Sequence, residues 1–168
     1  MGAEDEFRAF VAGRYAALVR TARLLAPDPT QAEDLTQSAL VTTYARWSTL
    51  RDRGRAEAYA RKVLVRQCLR AGRRRWRGEI PSKLLPEAPA ADPYAARDEA
   101  DAVRRALATL PGDQRAVLVL RYYADLTEPD VADVLGVSLG TVKSRASRAI
   151  AALRASGLLD DVVEVSDD

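Results

Sequence analysis

The 168-residue sequence predicts an all-α protein made of two small helical domains joined by a Pro-rich linker. Three observations predict it. Apolar residues recur at three- and four-residue spacing in the long segments between Glu4 and Arg154, the period of helices with one buried side. That pattern is interrupted where Pro81, Pro86, Pro89 and Pro93 crowd a stretch with few core-forming side chains. Finally, Thr127–Arg154, TEPDVADVLGVSLGTVKSRASRAIAALR, reads as two helices across a very tight turn.

The first helix spans Glu4 to Leu25, with Phe7, Phe10, Val11, Leu18 and Leu25 inward. Pro27-Asp28-Pro29 ends it, because proline withdraws the donors the next turn needs. Thr30 and Glu33 form a capping box that opens a second helix running to about Thr49. Its inner side carries Ala32, Leu35, Ala39, Leu40, Thr43 and Trp47, while Asp34, Gln37 and Val41 point the other way. An exposed Asp and Gln beside an apolar Val suit a docking surface for a protein, although spacing alone favours an ordinary solvated face. A loop over Arg51–Arg55 leads to a third helix from Ala56 to about Trp76, with Ala60, Leu64, Val65, Cys68 and Leu69 buried. On its other side Lys62, Arg66, Arg70 and Arg73 recur at i, i+4, i+8 and i+11, a basic ladder ~17 Å long at 1.5 Å per residue. Tyr59 and Trp76 lie near its ends. Such a ladder can neutralise phosphates while aromatics stack on unpaired bases. Like charges at this spacing cost an isolated helix about 0.2–0.5 kcal/mol per pair, so the arrangement is best understood if an anion lies along it.

The linker covers residues 78–97, within which Ile80, Leu84 and Leu85 can dock on a domain or a partner. Asp98–Leu110 is a helix with Ala100, Val103, Leu107 and Leu110 inward. Pro111-Gly112 breaks it, and Asp113 caps the next helix, which carries Val117, Leu118, Leu120 and Tyr122 to about Ala124. In the final pair, Thr127 and Asp130 cap the first helix, Pro129 sits in its first turn, Gly136 makes the turn, and Ser138 caps the second helix. Val142, Ala146, Ala149, Ile150 and Leu153 form one buried stripe; Thr141, Ser144, Arg145 and Arg148, with Lys143 beside them, form the other. A helix that presents hydroxyls, Lys and Arg and no acid suits a DNA major groove. Ala132, Gly136 and Val142 fill the fifth, ninth and fifteenth positions of a helix-turn-helix counted from Glu128. The tail after Gly157 is acidic and is expected to be disordered beyond Leu159.

Net charge is only +2, but it is segregated: Arg51–Arg77 holds eleven basic residues against two acids, whereas Leu158–Asp168 is −5. Segregation of this kind suggests a polyanion-binding surface flanked by acidic segments. The absence of histidine and the single cysteine, Cys68, rule out an internal disulfide and argue against a zinc site or a His-based triad. No metal, cofactor or catalytic constellation is expected. Neither a membrane span nor a signal peptide is legible, and a lone thiol fits a reducing cytoplasm.

Four stretches resemble the extracytoplasmic-function group of bacterial RNA polymerase sigma factors, in an actinobacterial sigma-E-like branch: AEDLTQSALVTTYARW (32–47), AYARKVLVRQCLRAGRRRW (58–76), the linker, and residues 110–154. The resemblance implies a region 2 domain at 1–77, a three-to-four-helix bundle. It implies a region 4 domain at 98–157, four helices with the helix-turn-helix, followed by an acidic tail at 158–168. It implies that Asp34, Leu35, Gln37 and Val41 bind core RNA polymerase. Tyr59, Lys62, Arg66, Arg70, Arg73 and Arg74 would engage the promoter minus-10 element, and Ser138, Thr141, Lys143, Ser144, Arg145 and Arg148 the minus-35 element. Ser38 stands where members usually carry an acid, and Arg66 and Arg70 where Asn and Asp are common. The implied protein is a cytoplasmic, non-enzymatic initiation factor whose partners are core polymerase, promoter DNA and, by family habit, an anti-sigma factor. The alternatives are a stand-alone helix-turn-helix regulator, which would leave the basic ladder without work, and a helical interaction protein that no longer binds DNA.

Overall fold

The computed structural model describes residues 2–50, 52–76 and 95–158. Among these there is no strand. The elements are α1 (Ala3–Leu25), a 3-10 turn (Pro29–Gln31), α2 (Ala32–Ala45), a second 3-10 turn (Trp47–Thr49), α3 (Arg53–Trp76), α4 (Ala95–Ala108), α5 (Gly112–Leu118), a π-helical turn (Val119–Tyr123), α6 (Glu128–Leu135) and α7 (Leu139–Ala155). Most of the linker, including Ile80, Leu84 and Leu85, lies outside the described residues, as do residues 159–168 of the tail.

α1 places Glu4, Asp5 and Glu6 in its first turn and Arg23 in its last, each sign against the favourable end of the helix dipole. It packs on α2 and α3. Leu18, Ala22 and Leu25 meet Ala32, Ala39, Leu40, Ala60, Leu64, Val65 and Cys68 in the core, with Phe7, Phe10, Val11 and Leu35 partly buried at its edge. Two polar residues the apolar pattern passes over or only half explains, Thr36 and Thr43, are fully buried. Their hydroxyls donate to the carbonyls of Ala32 and Ala39, both at 2.8 Å, which removes the cost of an unpaired polar atom.

Several expected boundaries move for local reasons. The Thr30–Glu33 box is not used: Asp28, buried and extended, accepts from the Thr30 amide at 2.9 Å and starts a 3-10 turn instead. α2 stops at Ala45, and Trp47–Thr49 continue as a 3-10 turn. α3 begins inside the expected loop, at Arg53, where Asp52 accepts from the Gly54 amide at 3.0 Å. Asp113 is not the cap of α5; Pro111 occupies that position, and Asp113 sits in the first turn.

In the second half α5 and α6 both pack on α7 around Val117, Leu120, Val131, Val134, Val142, Ala149 and Leu153. Ala100 is exposed, because the buried row of α4 consists of Ala106, Leu107 and Leu110, with Val103 half-buried. Tyr122 is 67 % exposed. The chain there widens to a π turn, with the Ala124 amide donating to the Val119 carbonyl at 2.9 Å, so the α-helical phase that would have turned Tyr122 inward is lost. The two halves also touch: α6 packs against α3, and α5 and the π turn against α1.

Candidate nucleic-acid interface

The helix-turn-helix is built by its caps. Thr127 accepts from the Asp130 amide at 3.3 Å, and Gly136 ends α6 at φ 66°, a left-handed conformation that costs glycine little. Ser138 accepts from the Thr141 amide at 3.1 Å to start α7. The Ser138 and Thr141 hydroxyls are 2.9 Å apart, so both polar groups already serve the cap. With Val142, Ala149 and Leu153 buried against the rest of the domain, Lys143, Ser144 and Arg148 are exposed. Arg145 differs. Its side chain is 24 % exposed and its Nε lies 3.6 Å from Asp113 Oδ2.

On α3, Arg66, Arg70, Arg73 and Arg74 are exposed, and Tyr59 and Lys62 are half-buried. The side chain of Trp76 lies outside what is described. Lys62 Nζ is 3.7 Å from Asp133 Oδ1 on α6. A Cβ at Gly136 would lie 3.8 Å from Arg66 Nη2, and one at Gly112 3.7 Å from Leu69. The turn of the helix-turn-helix therefore sits over the basic ladder. Arg75, one residue beyond the expected set, donates to the Pro27 carbonyl at 2.8 Å and ties the last turn of α3 to the corner after α1.

The α2 set is contiguous. Asp34, Gln37 and Val41 are exposed, Val41 to 70 %, and Leu35 is half-buried against the core. Sequence reasoning missed Tyr44 on the same side, exposed and with its ring 4.8 Å from that of Phe7. The i, i+3, i+7, i+10 spacing of Asp34, Gln37, Val41 and Tyr44 was the available signal. It also missed Arg115. That guanidinium donates through Nε to the Leu107 carbonyl and through Nη2 to the Leu110 carbonyl, both at 2.9 Å, stapling the end of α4 to the start of α5. Burial lowers its pKa from the ordinary arginine value.

A helix-turn-helix beside a second basic helix, on a helical chain in two parts, is the build of a DNA-binding factor. Residues 10–78 match the family model of sigma-70 region 2, and residues 100–153 that of sigma-70 region 4. The chain is 41 % identical over 154 residues to the RNA polymerase sigma-E factor of Streptomyces coelicolor, covering 92 % of this chain and 87 % of that protein. It is 34 % identical over 155 residues to the ECF RNA polymerase sigma factor SigM of Mycobacterium tuberculosis, covering 88 % and 76 %. Among solved structures, it superposes with TM-score 0.72 at 26 % identity on the sigma factor RpoE of Bartonella quintana in complex with the anti-sigma factor NepR, over 92 % of this chain and 97 % of that one. CnrH in complex with the cytosolic domain of CnrY gives TM-score 0.67 at 26 % identity, over 94 % and 90 %. The chain belongs to the extracytoplasmic-function group of the sigma-70 family. Its relatives are regulatory rather than catalytic proteins. Among the described residues no helix is long and apolar enough to cross a membrane.

Proposed function

We propose that this sigma factor binds core RNA polymerase and directs it to a promoter set, reading the minus-35 element through α7 and capturing the minus-10 element on α3. The observation that carries this is the pair of basic helical faces, one on each sigma region of a single chain. Lys143, Ser144 and Arg148, with Ser138 and Thr141 at the cap, present donors of the kind that pair with base edges and phosphates in the major groove, while Arg145 beside them is held towards Asp113. Tyr59, Lys62, Arg66, Arg70, Arg73 and Arg74 offer a charged track for one strand, with an aromatic for stacking. Holding one strand favours the melted over the paired state by its differential affinity, which is how a non-enzymatic factor opens DNA. Asp34, Leu35, Gln37, Val41 and the adjoining Tyr44 supply the polymerase-docking face. The work is cytoplasmic, where the polymerase is, and an anti-sigma factor is the expected antagonist.

The two halves must part for this task. Elements at minus-35 and minus-10 are about 25 base pairs apart, roughly 85 Å at 3.4 Å per step. A compact chain of this length is only about 40 Å across. The Lys62–Asp133 pair therefore belongs to a closed form that cannot reach both elements. Run-off transcription with core polymerase lacking any sigma factor, on a fragment library of bacterial promoters, tests the function. Discrete transcripts that require this chain are expected; their absence despite a formed complex with core refutes it.

A further inference from the structure

The buried row of α7, Val142, Ala149 and Leu153, fixes which residues look straight outward. At 100° per residue the direction opposite that row is held by Gly140, Ser144, Ser147 and Ala151, all exposed, with Lys143 and Arg148 at the flanks. Arg145 lies about 120° round from that direction, towards α5. There its guanidinium meets Asp113, whose other oxygen, Oδ1, accepts from the Gln114 amide at 3.0 Å. The corner that carries Asp113 is itself held by Arg115 on the Leu107 and Leu110 carbonyls. The recognition helix, seated on the core by Val142, Ala149 and Leu153, is thus also tied by one side chain to a braced corner.

Resting on the minus-35 reading above, we propose a division of labour on α7: Arg145 is a positioning residue that helps set the roll of the helix through Asp113, and Ser147, on the Lys143 side of the outward row, is a specificity-determining residue. A roll of about 10° moves a side-chain tip at ~6 Å radius by about 1 Å, enough to spoil a hydrogen bond whose useful range is a few tenths of an ångström. Losing the tether therefore weakens every base contact together. Ser147, with a short hydroxyl that donates or accepts, acts on the one or two base pairs directly beneath it.

The test uses the full chain on core polymerase and a panel of promoter duplexes in which each minus-35 base pair is changed in turn. Arg145→Ala and Asp113→Ala are each expected to lower affinity about 3- to 10-fold evenly across the panel, without reordering it. The double variant should lose no more than the worse single one, and Arg145→Lys should recover part of the loss. Ser147→Ala should reorder the panel at one or two positions while leaving affinity for the others within about twofold. Arg145→Ala erasing the preference at a single position while Asp113→Ala leaves it intact would make Arg145 a reader and overturn the assignment. So would an unchanged panel for Ser147→Ala. Arg148→Ala and Lys143→Ala separate the two levels: if neither weakens binding, the minus-35 reading itself falls. Circular dichroism of each variant checks that the helical content of the chain is kept.

Discussion

Replacing Arg115 by alanine removes the staple between α4 and α5. Two of its hydrogen bonds are well formed, to the carbonyls of Leu107 and Leu110 at 2.9 Å, and a third to Ala108 at 3.5 Å is too long to count. A bond from a charged donor contributes about 1.5–3 kcal/mol net, and the lower end applies because the guanidinium is only partly buried. The expected loss is about 3 kcal/mol, or a fall in unfolding midpoint of roughly 6–12 °C for a chain of this size. Arg115→Lys should recover less than half, since an ammonium cannot span two carbonyls as a planar fork does. Circular dichroism melts and urea titrations of the full chain measure both variants. A loss of under about 0.5 kcal/mol for Arg115→Ala, the scale of an ordinary surface substitution, would show that the staple contributes nothing and that the corner is braced otherwise.

Three further outcomes follow from the packing described above. Asp133→Lys breaks the pair with Lys62; because exposed pairs contribute at most about 1 kcal/mol, the free chain should bind a labelled single-stranded minus-10 oligonucleotide about two- to fivefold tighter by fluorescence anisotropy, and unchanged binding would show that α6 does not compete for the ladder. Arg70→Ala should reduce the slope of log affinity against log salt for promoter-complex formation by about 1, whereas an unchanged slope would remove Arg70 from the phosphate contacts. Burial pushes the Cys68 thiol up to about 12. Its protonated state is therefore stabilised by folding: that contribution is intact below the unfolded thiol's pKa and is lost as pH rises from about 9 to about 12. Alkylation at pH 8 should need unfolding, and rapid labelling of the native chain would contradict the burial.

What could be read from the sequence was whatever is decided within a few residues. Thr127, Gly136 and Ser138 act on backbone groups one turn away or less, so their chemistry declares itself, and the buried row of α7 repeats at a fixed period. Competition between neighbours was harder. Asp28 and Thr30 can both cap, and the extended backbone at Asp28 decides between them. The π turn at Val119–Tyr123 has no compositional signature, so the periodicity carried Tyr122 inward when the chain turns it out. Contacts across the chain were illegible altogether: Lys62 and Asp133 are 71 positions apart, and only the packing of α6 on α3 joins them. The candidate sites divide in the same way. The residue types on α2, α3 and α7 were legible, whereas the tie of Arg145 to Asp113 and the reach of Arg115 to Leu107 and Leu110 depend on how helices cross.

Helix ends ordinarily fray, and a fraying end presents its charges as a fluctuating cloud. The Arg75 hydrogen bond to Pro27 reaches across 48 residues to pin the terminal turn of α3. Arg73 and Arg74 project from that tied turn. If the minus-10 strand runs along α3 as proposed, it meets there a template whose last turn is tied in place, so less additional ordering is needed to fit it.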